Sequence, residues 1–229
     1  MTNKTLTQTI YQKKIPQLRK DLGVENIFEI PKLQKVVVNI GLRDNRFDDN
    51  KMAEVKQNLA LITGQIPQEI KSKKSIASFK LRIGQVNALK VTLRGHRMYA
   101  FLDKLLNIGL PRQRDFRGLR KSCLDQSGVL HIGLEDYTVF PEILPEKVKT
   151  TSGLSSDIVL NIRDPKKARV LFEALGVVFE TEDARKMREE STRKSKVEAK
   201  IREEKAKEYR QLAQEEIVAP KEEVTDENK

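Results

Sequence analysis

Beyond Phe179 the chain offers almost nothing to bury. Residues 181–229 hold 13 Lys+Arg and 14 Asp+Glu, and the apolar side chains of 184–214 are as sparse as Met187, Val197, Ile201 and Leu212. Such a segment cannot gather enough apolar surface to offset the entropy lost on ordering it. A packed core must therefore come from the first 180 residues, with a boundary near Phe179–Asp183. The expected organisation is one domain over residues 1–180 and a charged extension over 181–229. Within the extension, residues 184–214 are rich in Glu, Lys, Arg and Ala, which favour helix. Glu189–Arg193, Glu190–Lys194, Glu198–Arg202 and Glu203–Lys207 pair at i, i+4, each adding about 0.2–0.5 kcal/mol to a helix. A helix polar nearly all round needs no core. The acidic end after Pro220 reads as disordered.

Residues 1–180 alternate between the two periodicities of regular structure. Ile10, Ile15, Leu18 and Leu22 recur at helical spacing, with Gly23 as a stop and Pro16 as a place for a kink or break. Lys35–Ile40 is β-branched and reads as a strand. Asp49–Thr63 places Met52, Val55, Leu59 and Ile62 on one face and is closed by Gly64. Leu89–Leu93 alternates apolar and polar residues, as a half-buried strand should. Arg97–Leu110 reads as a helix ended by Pro111. Val129–Ile132 and Asp157–Ile162 are further strands, Pro165–Leu175 a last helix closed by Gly176, and Val177–Phe179 a short strand after it. This irregular mixture predicts an α+β fold: a single two-layer domain with a largely antiparallel sheet backed by helices.

Charge then narrows the function. The whole chain is at +11 with a pI near 9.6. Residues 1–180 alone carry 31 basic and 19 acidic groups, so the entire excess lies in the folded part. That points to a polyanion, with nucleic acid ahead of an anionic membrane. There is no apolar run of about 18 residues to span a bilayer, and MTNKTLTQTI lacks the apolar centre of a signal peptide. A single cysteine, Cys123, makes no intramolecular disulfide and no cysteine-based zinc site. A reducing, cytoplasmic setting is expected.

Enzyme chemistry finds little support. His96 and His131 are the two histidines, and nothing in their spacing joins them to Cys123 as a nucleophile and base. HExxH, GxSxG and Walker A patterns are absent. No catalytic residue, metal or cofactor is expected. The stretch Lys71–Arg97 is different. It holds eight Lys/Arg (71, 73, 74, 80, 82, 90, 94, 97) and no acid in 27 residues, so it lacks the self-pairing of an ordinary solvated face. Ser72, Ser75, Ala77, Ser78 and Gly84 let a loop come close to a phosphate backbone. Phe79, between Lys74 and Lys80, has two readings: a stacking platform for a base or ribose, or an apolar anchor for the loop. A second basic cluster follows: Arg112, Arg114, Arg117, Arg120 and Lys121. Guanidinium groups suit phosphate because they donate two parallel hydrogen bonds.

At these residues the sequence resembles a known family. Val36–Gly41 (VVVNIG), Ile62–Pro67 (ITGQIP), Lys73–Gly84 (KKSIASFKLRIG), Lys90–Arg97 (KVTLRGHR), Pro111–Gly118 (PRQRDFRG) and Phe140-Pro141-Glu142 resemble, in order and spacing, the ribosomal protein L-five family of the bacterial large subunit. The resemblance runs from about residue 5 to 180. It implies an α+β domain that binds 5S rRNA and 23S rRNA in the central protuberance, beside other large-subunit proteins. It also implies a loop that reaches peptidyl-site tRNA, and a bridge to small-subunit ribosomal protein thirteen. By matched position, Asn39, Gln65 and Thr92 are the implied 5S rRNA contacts, with Lys35 and Arg94 beside them. Amide and hydroxyl groups suit ribose 2′-OH and RNA shape, since paired bases hide their edges. Read locally, Asn39 ends a strand, Gln65 sits in a turn and Thr92 is an ordinary strand residue. Lys71, Lys73, Lys74, Ser75, Phe79, Lys80 and Arg82 are the implied tRNA-facing loop. Arg112, Arg114, Arg117 and Arg120 are further RNA contacts.

Two departures stand out. Ser78 replaces the family's usual glycine, which predicts a stiffer loop. The extension 181–229 lies outside the resemblance and receives no family role. Two rival classes remain: a free-standing RNA chaperone whose extension recruits a protein, and an RNA-acting enzyme using His96, His131 or Cys123.

Overall fold

Helix α2 (Asp49–Thr63) shows how local sequence sets an element here. The Asp48 side chain accepts from Asn50 N at 3.0 Å and Lys51 N at 3.4 Å, satisfying two donors that a helix start leaves open. Val55, Leu59 and Ile62 fall on one face and are fully buried. Gly64 then adopts φ +67° and bonds back to Ala60 O at 2.8 Å, ending the helix. In the computed structural model the described residues are 5–113, 116–144, 146, 148, 151–181, 187 and 202. The chain divides into two units, Met1–Glu180 and Thr181–Lys229. The expected tail helix over 184–214 and the acidic end lie outside the described residues, except Met187 and Arg202.

Five strands form one antiparallel sheet in the order β2-β3-β1-β5-β4. They are β1 (Leu33–Gly41), β2 (Gln68–Lys71), β3 (Val86–Leu93), β4 (Leu130–Leu134) and β5 (Leu154–Leu160). With helices on one side, this is the α+β architecture expected. Side chains alternate across a strand, so the register sorts them by face. Val36, Val38 and Ile40 of β1 stand opposite Leu93, Val91 and Leu89 of β3. On the other side the same three meet Ile158, Ser156 and Leu154 of β5. All nine are buried, and they face the helices.

Helices α1 (Leu6–Asp21), α3 (Gly95–Lys104) and α5 (Pro165–Ala174) pack with α2 on that buried face. Asp103 of α3 receives hydrogen bonds from the backbone and hydroxyl of Thr7. Lys14 Nζ donates to Ala174 O at 2.6 Å, tying α1 to the end of α5. Phe101 and Phe140 stack with centroids 5.8 Å apart in the core.

Several boundaries differ from the sequence reading. Pro16 does not break α1, which runs through it. The helix from Gly95 does not stop at Pro111. It widens into a π turn (Leu105–Gly109) and continues as α4 (Leu110–Arg112). A proline in a regular helix collides with the carbonyl four residues back; the wider turn before it relieves that contact. The last strand of the sheet is Leu154–Leu160, so it begins earlier than Asp157. Val177–Phe179 makes a single parallel bridge, Leu119–Phe179, and no strand. The bridge is tight: a Cβ on Gly118, at φ +108°, would lie 2.8 Å from Glu180 N.

Candidate nucleic-acid interface

The sheet face turned away from the helices carries the odd residues of β1 and the even residues of β3. Asn39 pairs with Lys90 on one side and Ser155 on the other. Lys90 in turn pairs with Gln68. One row across the face therefore reads Gln68, Lys90, Asn39, Ser155 and Gly133. The neighbouring row reads Thr92, Val37, Asp157 and His131. Lys35 pairs with Val159, and Arg94 follows one step beyond the Val36–Leu93 pair. The strands thus bring Asn39, Thr92, Lys35 and Arg94 together on one surface. Gly41 and Gly133 keep its rim low. Gln65 enters from the side: it lies between α2 and β2, three residues before Gln68. The Thr63 hydroxyl donates to Gln65 O at 3.0 Å and fixes that turn.

Asn39 is the most constrained residue of the face. Both flanks of its backbone are in the sheet, and the Ser155 hydroxyl donates to its carbonyl at 3.2 Å. Its side-chain Oδ1 is buried and has no hydrogen-bond partner within the protein. Leaving an acceptor so placed costs about 1–3 kcal/mol, a cost that a donor supplied by a ligand would remove.

The basic loop is a second, separate structure. It extends the β2–β3 hairpin beyond a bulge at Ile70/Lys71. Ser72 N donates to Gln85 O at 2.8 Å, and Gly84 N to Ser72 O at 2.9 Å. Ile76 and Leu81 exchange two backbone hydrogen bonds around a 3-10 turn, Ala77–Phe79. The Ser75 hydroxyl accepts from Ile83 N at 3.0 Å. Lys71, Lys73, Lys74, Lys80 and Arg82 are all exposed. Phe79 is 64% exposed, so it is no apolar anchor; the loop is held instead by Arg46 donating to Phe79 O at 2.5 Å. Ser78 lies in the 3-10 turn outside the left-handed region. The left-handed residue is Lys80, at φ +51°, so serine at 78 needs no glycine-like freedom. At the hairpin's base Lys56 of α2 bonds Glu69 Oε1 at 2.7 Å. That ammonium holds the Glu69 carboxyl below the usual carboxylate range.

The second basic cluster is divided. Arg112 closes α4, and Arg117 and Arg120 flank the Leu119 bridge; all three are exposed. Arg114 lies outside the described residues. His131 Nδ1 lies 2.7 Å from Asp157 Oδ1, which ties β4 to β5 on this face. Among the described residues no three His, Cys, Asp or Glu side chains gather as a metal site, and no helix is long and apolar enough to cross a membrane. The sequence reading missed Gln68, Ser155, Asp157 and His131 as members of the open face. No motif signals them; only the strand register does.

Two family models match the chain, one after the other. Residues 26–82 match the family described as Ribosomal protein L5, and residues 87–179 match the model for the C-terminus of that ribosomal family. Large ribosomal subunit protein uL5 of Thermus thermophilus is 42% identical over 174 residues, covering 76% of this chain and 96% of the relative. The protein of that name from Leptospira biflexa is 41% identical over 172 residues, covering 75% and 94%. Its counterpart in Dichelobacter nodosus is 41% identical over 173 residues, covering 75% and 97%.

Proposed function

Since the chain belongs to the ribosomal protein L5 family, and is with it a non-enzymatic constituent of the large ribosomal subunit, we propose that its open sheet face binds 5S rRNA and its basic hairpin reaches peptidyl-site tRNA. Its place is the ribosome of the cytoplasm. The observation that carries the first part is the cross-strand assembly of Asn39, Thr92, Lys35 and Arg94 around an unpartnered, buried Asn39 Oδ1. A face that sets the amides of Asn39 and Gln68 and the hydroxyls of Thr92 and Ser155 side by side suits the ribose 2′-OH and the shape of a paired RNA. Lys35, Lys90 and Arg94 supply the counter-charge for its phosphates.

The hairpin performs a different task. Five exposed cations and an exposed Phe79 suit a backbone approached from outside, with stacking available at the tip. Contacts to 23S rRNA by Arg112, Arg114, Arg117 and Arg120, the bridge to small-subunit ribosomal protein thirteen, and the division into a domain 1–180 and an extension 181–229 belong to the same proposal. Equilibrium binding to 5S rRNA is the direct test. The intact chain should bind at moderate salt, and Asn39→Ala and Thr92→Ala should each weaken binding at least several-fold with no fall in melting temperature. Equal affinity in all three proteins would remove the open face as the binding site.

A further inference from the structure

The strand residues proposed for 5S rRNA, Lys35, Asn39, Lys90 and Thr92, lie on β1 and β3. The open face does not end there. It continues onto β5 and the edge strand β4, through Ser155, Gly133, Asp157 and His131. In the row Thr92, Val37, Asp157, His131, the carboxylate of Asp157 is the one acid among the outward strand residues. Unanswered, it would repel a phosphate backbone lying across the face. It is answered by His131, whose Nδ1 sits 2.7 Å from Asp157 Oδ1.

That geometry fixes the imidazole. With Asp157 accepting, Nδ1 carries a proton, and the second ring nitrogen, Nε2, is left for another partner. The ring is 52% exposed, and β4 is the outermost strand, so a ligand can approach it without displacing an element. Two carboxylates face His131: Asp157 from β5, and Asp125 from the turn that leads into β4. The Asp125 carboxyl is held low chiefly by the Gln126 backbone N–H, with a smaller pull from His131.

Resting on the reading of the open face as the 5S rRNA site, we propose that His131 carries that site onto β4. The imidazolium, oriented by Asp157, donates from Nε2 to a phosphate of the same RNA. Paired bases leave the backbone as the accessible partner at the rim of such a surface. His131 is then a phosphate contact and Asp157 the residue that positions it. Donation from both ring nitrogens requires the doubly protonated ring, so the contact should strengthen as pH falls.

The test is 5S rRNA binding by the full chain at pH 6 and pH 8 over a range of salt. Wild type, His131→Ala, His131→Gln and Asn39→Ala are compared, with melting temperatures measured alongside. For the wild type, affinity should be higher at pH 6, and the slope of log affinity on log salt steeper by about one phosphate contact. His131→Ala should lose about three- to tenfold in affinity at pH 6, and much less at pH 8. His131→Gln keeps the side-chain volume and a donor; it should fold normally yet lose the same pH dependence. If both His131 variants match wild type in affinity and slope at both pH values while Asn39→Ala is weakened, His131 is no contact and the inference falls alone. If Asn39→Ala also matches wild type, the open face is not the site, and both fall.

Discussion

Asn39 and Thr92 ride on strands bonded along both edges, β1 between β3 and β5, and β3 between β2 and β1. Lys73, Lys74, Lys80 and Arg82 ride on a hairpin that projects past the sheet, held by a short ladder of backbone bonds and by Arg46. The two regions would answer RNA differently. The sheet face sets amide and hydroxyl groups among its charges, on a backbone fixed by the register on either side. The hairpin has many charges and little that fixes any of them. Recognition by shape needs fixed atoms, because a hydrogen bond fails with small displacements. Attraction to phosphate does not, since it acts over the screening length of about 8 Å. Under the proposed function the chain thus separates what identifies an RNA from what draws one in.

The contrast can be broken most forcefully from beneath the sheet. Leu89 is fully buried on β3, between the outward residues Ala88 and Lys90. Leu89→Ala should cost about 2–5 kcal/mol of stability, read as a lower midpoint in urea unfolding, with loss of 5S rRNA binding as the face loosens. A near-wild-type midpoint would mean that the face does not depend on the core behind it.

Changing Lys73, Lys74, Lys80 and Arg82 together to Ala should do the opposite. The melting temperature should stay near wild type, because all four side chains are exposed. The salt dependence of tRNA binding to ribosomes carrying the variant should become shallower by about 3 in log–log slope. A large fall in melting temperature would show that the hairpin is part of the folded framework.

Asn39→Ala should weaken 5S rRNA binding by about 1–3 kcal/mol, the range for an unmade buried hydrogen bond. Its salt slope should not change, since no charge is removed. A changed slope would place Asn39 among the electrostatic contacts and erase the distinction between the regions.

The smallest effect concerns the joint between them. Lys56 depresses the carboxyl of Glu69 at the hairpin's base. A group with a lowered folded-state pKa adds stability above its unfolded value and loses it as pH falls through the folded one. Glu69→Gln should therefore show a slightly shallower acid loss of melting temperature than wild type, and little difference at neutral pH, where exposed pairs contribute little. Identical acid profiles would mean that the pair does not join β2 to α2.

How much of this was legible in the sequence varies with how local its cause is. Asp49–Thr63 could be read to the residue because its apolar stripe lies within it and its cap and closing glycine lie directly beside it. Lys35–Ile40 could be read because β-branched residues sit close together there. Strand β2 could not: it is four residues at the sheet's edge with little burial, so neither periodicity nor composition marks it. The basic hairpin was visible as charge, but the choice between two roles for Phe79 needed its exposure. The open face was invisible as a face. Asn39 and Thr92 were found through a family likeness, and only pairing across β1, β3 and β5 makes them neighbours. His131 and Asp157 met for the same reason, from positions that no local pattern connects.

The placement of β1 also sets a schedule. Its two partners, β3 and β5, both come later in the chain, and β5 closes at Leu160 near the end of the domain. As the chain leaves the ribosome that makes it, β1 emerges early and can pair with β3, but its other edge stays open until residues 154–160 arrive. Contacts so distant along the chain form late, because loop closure precedes their reward. Until then the Asn39 carbonyl lacks Ser155, and the face is half built. A nascent chain therefore cannot complete the open face before its last strand is made, so under the proposed function a truncated product would be a poor competitor for the RNA.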